Sequence, residues 1–212
     1  MQISKVEQGQ IILVNESCQA GCLHCPYGKK TNIFPKSVKS IIQTIESCKS
    51  NFFILSGGEP LEYPFFALLL QELQFIKKPF RIATGGHVYI LPYIGQLKTL
   101  THFSGFSLGT DMLVYKRNLK PLLRIEWLRN LNILENEKIH YSLTVTLGTD
   151  VFLEGLIKEL VSLGCNPDFF MLSEKENEFI SNIAWDNCKE VVTKYSQHKL
   201  ILTGFRNNKA LI

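Results

Sequence analysis

Short apolar runs alternate along the chain with stretches whose apolar positions recur every three or four residues. Residues 11–14 (IILV) predict a strand, which could pair with residues 2–6 across a turn at Gln8-Gly9. Residues 37–48 set Val38, Ile41, Ile42, Ile45 and Cys48 on one helical face, with Ser37 as the N-cap. A strand at 52–55 is closed by Gly57-Gly58, and a very apolar helix follows at 63–76. A strand at 80–84 ends at Gly85-Gly86 and leads to a helix at 91–99. The rhythm continues with a strand at 105–108, a helix at 121–134 with proline in its first turn, and a strand at 140–146. A helix at 151–163 is stopped by Gly164, a strand follows at 168–172, a helix at 179–196 and a last strand at 199–203.

Strand-helix units of this length imply an α/β fold, a parallel sheet covered by helices. Six units are too few for a closed eight-fold barrel of ~250 residues. A partial barrel or an open doubly wound sheet remains, and in both the ligand lies at the carboxyl ends of the strands. The segments after Val14, Leu55, Ala83, Leu108, Val145 and Leu172 are therefore the candidate ligand face. No linker or repeat interrupts the pattern, so the expectation is one domain over 1–212, with an N-terminal extension of about 1–10 and a tail of about 204–212.

Composition narrows the class. The 212 residues are 45% hydrophobic and 20% charged, which excludes a disordered chain, a fibre and a coiled coil. No apolar run reaches the ~18 residues of a membrane span. The N-terminus MQISKVEQGQ lacks an apolar signal region, which points to the cytoplasm. A net charge of +4 is too mild to indicate nucleic acid.

Six cysteines change the picture, because Cys18, Cys22 and Cys25 crowd into Cys-Gln-Ala-Gly-Cys-Leu-His-Cys just after the first strand. In the cytoplasm such a cluster holds metal or does catalysis more often than it forms disulfides. Three thiolates on one loop can hold an iron-sulfur cluster with one iron left open. They can also hold zinc with an outside ligand, although no second pair of close ligands is present. At the top of the second strand stands Leu55-Ser56-Gly57-Gly58-Glu59-Pro60-Leu61. Its glycines allow close approach of a ligand, and its carbonyls and carboxylate can accept hydrogen bonds from an ammonium group.

C-x3-C-x2-C after the first strand, with G-G-E-P after the second, resembles the radical S-adenosylmethionine (SAM) enzymes. The resemblance implies a partial (β/α)6 TIM-like barrel over most of the chain, and a role for each matching position. Cys18, Cys22 and Cys25 would ligate three irons of a [4Fe-4S] cluster, the fourth being bound by the amino and carboxylate groups of SAM. Gly57, Gly58 and Glu59 would receive the methionine ammonium, with Pro60 shaping the turn. Thr84 matches the third-strand segment, Ser107 the fourth-strand polar position near the ribose or carboxylate, and His24 the position whose backbone meets adenine. The fifth-strand glycine motif is not evident, which leaves Thr144 and Thr146 as the adenine candidates. Implied too are an electron donor such as flavodoxin or ferredoxin, reductive cleavage of SAM to a 5′-deoxyadenosyl radical, and hydrogen abstraction from a substrate.

The rest of the sequence bears on the substrate. No second cysteine cluster follows the core. Cys48 and Cys165 precede strands, at the opposite end from Cys18, and Cys188 lies in a helix; all three read as small hydrophobes. A cysteine that returns hydrogen to an inverted carbon is therefore missing, and epimerisation is not expected. Tyr27, Lys29, His87, Asp111, Glu174 and Arg206 sit at strand tops, where each reads as a solvated loop residue. His102, His140 and His198 carry no metal-ligand spacing. No separate peptide-binding module is expected before Cys18 or after Thr203, so capture falls to the loops or to a partner protein that grips a leader. A compact core with the segment G-G-E-P-L-E-Y-P resembles peptide maturases, which implies a precursor peptide as substrate. The alternatives are activation of a glycyl-radical enzyme and reaction on a small metabolite.

Overall fold

A computed structural model describes residues 9–22, 25, 27, 35–114, 120–147, 152–168, 170–174, 190, 191, 193–195 and 200–203. The described elements run β1 (Gln10–Asn15), α1 (Val38–Ser47), β2 (Phe53–Gly57), a 3-10 turn (Pro60–Glu62), α2 (Phe66–Leu73), β3 (Phe80–Thr84) and α3 (Leu91–Thr99). They continue with β4 (Phe103–Gly109), α4 (Pro121–Asn136), β5 (Tyr141–Leu147), α5 (Leu153–Ser162), β6 (Phe170–Glu174) and β7 (Leu200–Thr203). All seven strands are parallel and lie in the order β1 to β7, an open α/β sheet consistent with a partial TIM-like barrel. Most of the expected 179–196 helix, the 2–6 strand, Cys188 and His198 lie outside the described residues. Among the described residues no helix is long and apolar enough to cross a membrane.

Local chemistry sets the boundaries. Ser37 caps α1, its hydroxyl accepting from the Ser40 N–H at 3.2 Å. Lys78 donates to the Ile45 and Cys48 carbonyls at the other end of that helix, where a cation suits the dipole. The expected helix over 63–76 starts late, at Phe66, because Pro64 holds Tyr63 extended (ψ 122°) and splits off the 3-10 turn. Gly164 does end α5: at φ 75° its N–H donates to Val161 while Cys165 donates to Leu160. The same motif ends α4 two residues later than expected, built on Lys138 at φ 53°.

The sheet has two unlike faces. Ile12, Val14, Phe53, Leu55, Phe80, Ile82, Phe106, Leu108, Leu143 and Val145 are buried in one apolar cluster with Ile45, Leu69, Leu97, Trp127, Ile157 and Leu160 of the helices. Phe53 stacks on Phe80 with ring centroids 5.3 Å apart. Each such ring contributes roughly 2–3 kcal/mol by leaving water. Of the half-buried alternate positions, Ser56, Arg81, Ala83, Ser107, Thr144 and Thr146 are small or polar, while Leu13 and Ile54 at the β1–β2 side are apolar. Arg81 is anchored on this face by Ser142 Oγ at 2.9 Å and Asp168 Oδ2 at 2.8 Å. Asp168 and His140 precede β6 and β5, so this ion pair marks the amino-end floor, and the strand exits form the opposite rim.

Candidate functional site

Because β1 and β2 are parallel neighbours, the cysteine loop and the Gly-Gly-Glu-Pro segment leave the sheet side by side. Backbone hydrogen bonds join them: Gly58 N–H donates to the Asn15 carbonyl at 2.7 Å, and Glu59 N–H to the Ser17 carbonyl at 2.9 Å. Asn15, almost fully buried, adds a side-chain clasp. Its Nδ2 donates to the carbonyls of Ser17 (3.2 Å) and Glu59 (3.1 Å), and its Oδ1 accepts from Ser17 Oγ (3.1 Å). The two glycines are required by this contact. A Cβ on Gly57 would stand 2.0 Å from the Asn15 carbonyl oxygen, and one on Gly58 2.1 Å from that of Ser17. The neighbouring strand's backbone, rather than a ligand alone, thus accounts for the pair.

Glu59 is completely buried. Its carboxylate accepts from Leu61 N–H (3.1 Å), Thr84 Oγ1 (2.9 Å) and Gly85 N–H (2.9 Å), clasping the β2 exit to the β3 exit. Burial pushes its carboxyl above the ordinary carboxylate range, against the opposing pull of His87 and those donors. Thr84 in turn accepts from Gly86 N–H at 3.0 Å. Pro60 is buried at the start of the 3-10 turn, which aims Glu62 back at the cysteine loop, where it accepts from Gln19 N–H at 3.0 and 3.1 Å.

His87 overturns the expectation of a solvated loop residue, for its side chain is only 4% exposed. Nε2 lies 2.8 Å from Glu62 Oε1 and 3.8 Å from Cys18 Sγ. Nδ1 is 3.6 Å from the Glu59 carboxylate and has no hydrogen-bond partner among the described residues. Burial alone would lower the His87 pKa, but the contacts with Cys18 and Glu62 and the charge of Glu59 outweigh it and push it up to about 10. One donor atom each from Cys18, Glu62 and His87 lies within 4.8 Å of the others.

Cys22 is buried, while Cys18 and Cys25 are half-buried. Burial pushes the Cys22 thiol up to about 12, and the neighbouring Asp111, Cys18 and Cys25 add to the rise. Cys25 N–H donates to the Cys22 carbonyl at 3.0 Å, and Lys120 Nζ donates to the Gln19 carbonyl. Behind the β3 exit stands α4, whose Asn130 bonds the carbonyls of Gly86 and Val88 and the N–H of Ile90 at 2.7–3.1 Å. Trp127 Nε1 donates to the Gly109 carbonyl at 2.7 Å.

The structure therefore brings together Cys18, Cys22, Cys25, Gly57, Gly58, Glu59, Pro60 and Thr84 at the rim. Ser107 and Thr144 stand apart, on β4 and β5. Ser107 Oγ is 3.1 Å from Ser142 Oγ, deeper in the sheet, and the Thr144 carbonyl accepts from Thr110 N–H. Asp111 and Tyr27 are half-buried, and Glu174 ends β6. His24, Lys29 and Arg206 lie outside the described residues. Cys48 and Cys165 follow α1 and α5, hence lie at the floor end; both are half-buried. Asn15, Glu62 and Asn130 were not singled out from sequence. Their partners are 43 or 44 positions away in the Asn15–Glu59, Gln19–Glu62 and Asn130–Gly86 contacts, so spacing carries no sign of them.

No protein-family model matches the sequence, and a search of curated proteins finds no match. Solved structures do match. SuiB of Streptococcus suis bound to S-adenosylmethionine is 15% identical with a TM-score of 0.74, over 92% of this chain and 50% of that one. SuiB bound to its precursor peptide SuiA gives the same TM-score and identity, over 92% and 48%. A domain of pyruvate-formate lyase-activating enzyme from Bacteroides vulgatus is 16% identical, with a TM-score of 0.56 over 71% and 98%. The chain thus spans about half the length of SuiB. At these identities the likeness is one of fold alone.

Proposed function

We propose that the chain is a radical SAM enzyme that holds a [4Fe-4S] cluster on Cys18, Cys22 and Cys25 and binds SAM beside it. The observation that carries this reading is the double clasp, Asn15 on one side and Glu59 on the other. It fixes the cysteine loop against Gly57–Pro60 and the β3 exit. The donor set fits the cluster. Burial first, and then Asp111 and the other two thiols, oppose ionising Cys22, and a cationic iron centre would offset that opposition. When bound, the pair supplies one-electron reductive cleavage of SAM and a radical that abstracts hydrogen from the substrate.

The chain's own residues bind and orient. Glu59 holds the turn and the β3 exit, and the carbonyls of Gly57 and Gly58 are the acceptors offered to the methionine ammonium. Thr84 keeps Glu59 in place. Ser107, Thr144 and the backbone at His24 are proposed for the nucleoside end. The polar inner face, closed below by Arg81 and Asp168, is the proposed reaction chamber, where enclosure keeps water away from a radical.

The substrate proposed is a precursor peptide. Support comes from the fold shared with SuiB, whose solved complex holds its precursor peptide. A flavodoxin or ferredoxin would supply the electron in the cytoplasm, and a separate protein could present the leader. The reading with second-best support is activation of a glycyl-radical enzyme, since the fold matches 98% of the activating-enzyme domain.

Anaerobic reconstitution with iron and sulfide, then dithionite and SAM, tests the core proposal. The expected result is about four irons per chain and formation of 5′-deoxyadenosine, both lost in Cys18→Ala, Cys22→Ala and Cys25→Ala. Absence of 5′-deoxyadenosine with every reductant refutes it. Mass spectrometry of a short peptide encoded beside the gene, co-expressed with the enzyme, tests the substrate. An unmodified peptide together with a glycyl-radical signal on a partner would favour activation.

A further inference from the structure

We propose that His87 is a positioning residue for Cys18: its Nε2–H is shared between the Glu62 carboxylate and the Cys18 sulfur, and so sets the electron density on that sulfur. The proposal rests on the reading of Cys18 as a cluster ligand.

Among the described residues, the geometry that supports it is specific to the Cys18 sulfur. Nε2 lies 2.8 Å from Glu62 Oε1 and 3.8 Å from Cys18 Sγ, within reach of a shared donor. Glu62 is itself fixed, because both of its oxygens accept from Gln19 N–H, in the residue next to Cys18. The ring has little freedom to turn elsewhere, since its side chain is 4% exposed. It is carried on the Gly85-Gly86 exit of β3, which Glu59 and Asn130 hold from opposite sides. Loop 18–22, the 3-10 turn and the β3 exit thus converge on one imidazole. A donor aimed at a ligating sulfur withdraws electron density and favours the reduced cluster. Cys18 would thereby differ electronically from Cys22 and Cys25.

The test reconstitutes the full chain as wild type, His87→Leu, which removes the donor, and His87→Gln, whose amide N–H stands the same number of bonds from Cα as the imidazole Nε2. Iron content is measured first, then the midpoint potential by dye-mediated titration followed by electron paramagnetic resonance. Expected is wild-type iron content in His87→Leu with a potential shifted to more negative values, and recovery toward wild type in His87→Gln. A His87→Leu cluster that titrates at the wild-type potential overturns the proposal. So does loss of iron in both variants from a wild type that loads normally, which would assign His87 to building the loop alone. A wild type that takes up no iron fails the cluster reading itself, which separates the two failures.

Discussion

A single methyl group tests the closest contact in the site. Gly57→Ala or Gly58→Ala must part the backbones of β1 and β2, because the new carbon would stand about 2 Å from a carbonyl oxygen. A loss of at least ~2 kcal/mol in urea unfolding is expected. Lys138→Gly should act in the opposite sense. It relieves a left-handed residue at the end of α4 and should stabilise the chain by ~0.5–1 kcal/mol, read as a higher urea midpoint with an unchanged slope. Cys165 gives a third test. Burial, with Glu135 nearby, pushes its thiol from 9.0 up to about 12, so little of it is thiolate at pH 8. Alkylation in the folded protein should be on the order of a hundredfold slower or more than in urea. At this scale sequence was informative where a residue type has few uses. Three close cysteines, Ser37 as a cap and Gly164 as a stop each carry their reason locally. His87 did not, since nothing within a few positions announces that Cys18, Glu62 and Glu59 will surround it.

At the scale of elements, the rim is assembled by side chains that reach from one connection to the next. Asn15→Ala removes the donors to the Ser17 and Glu59 carbonyls together. It should cost about 1–3 kcal/mol and lower iron uptake on reconstitution, since the loop loses its tie to Glu59. Asn130→Leu leaves Gly86, Val88 and Ile90 without their partner in a fully buried position, and a loss of about 2–4 kcal/mol is expected. The alternation of strands and helices was legible because each strand is an apolar run and each helix has a helical period. Boundaries were less so. Residues 63–76 look uniformly apolar, and the effect of Pro64 on Tyr63 is invisible to a hydrophobic count. The strand at 105–108 proved to begin at Phe103, whose ring packs against Phe106 of its own strand and Phe80 of β3 across the sheet. That neighbour relation exists only once the register is set.

At the scale of the whole molecule, the contrast between the two sheet faces is what the proposed chamber rests on. Helix-side positions are large and apolar, and inner positions such as Ser56, Ala83 and Ser107 are small. Ala83→Phe should therefore fill the proposed chamber without breaking the helix-side core. The expected outcome is a melting temperature near that of wild type with SAM binding lost in equilibrium dialysis; retained binding would move the nucleotide elsewhere. The two ends of the strand ladder also matter. Among the described residues β1 and β7 lie at opposite ends of the order and do not pair with each other. A ring closed all round accepts only what fits down its mouth. On the proposed peptide reading, strand ends that stay apart would let a threadlike substrate lie across the ladder, one short stretch dipped inside and both flanks left in water.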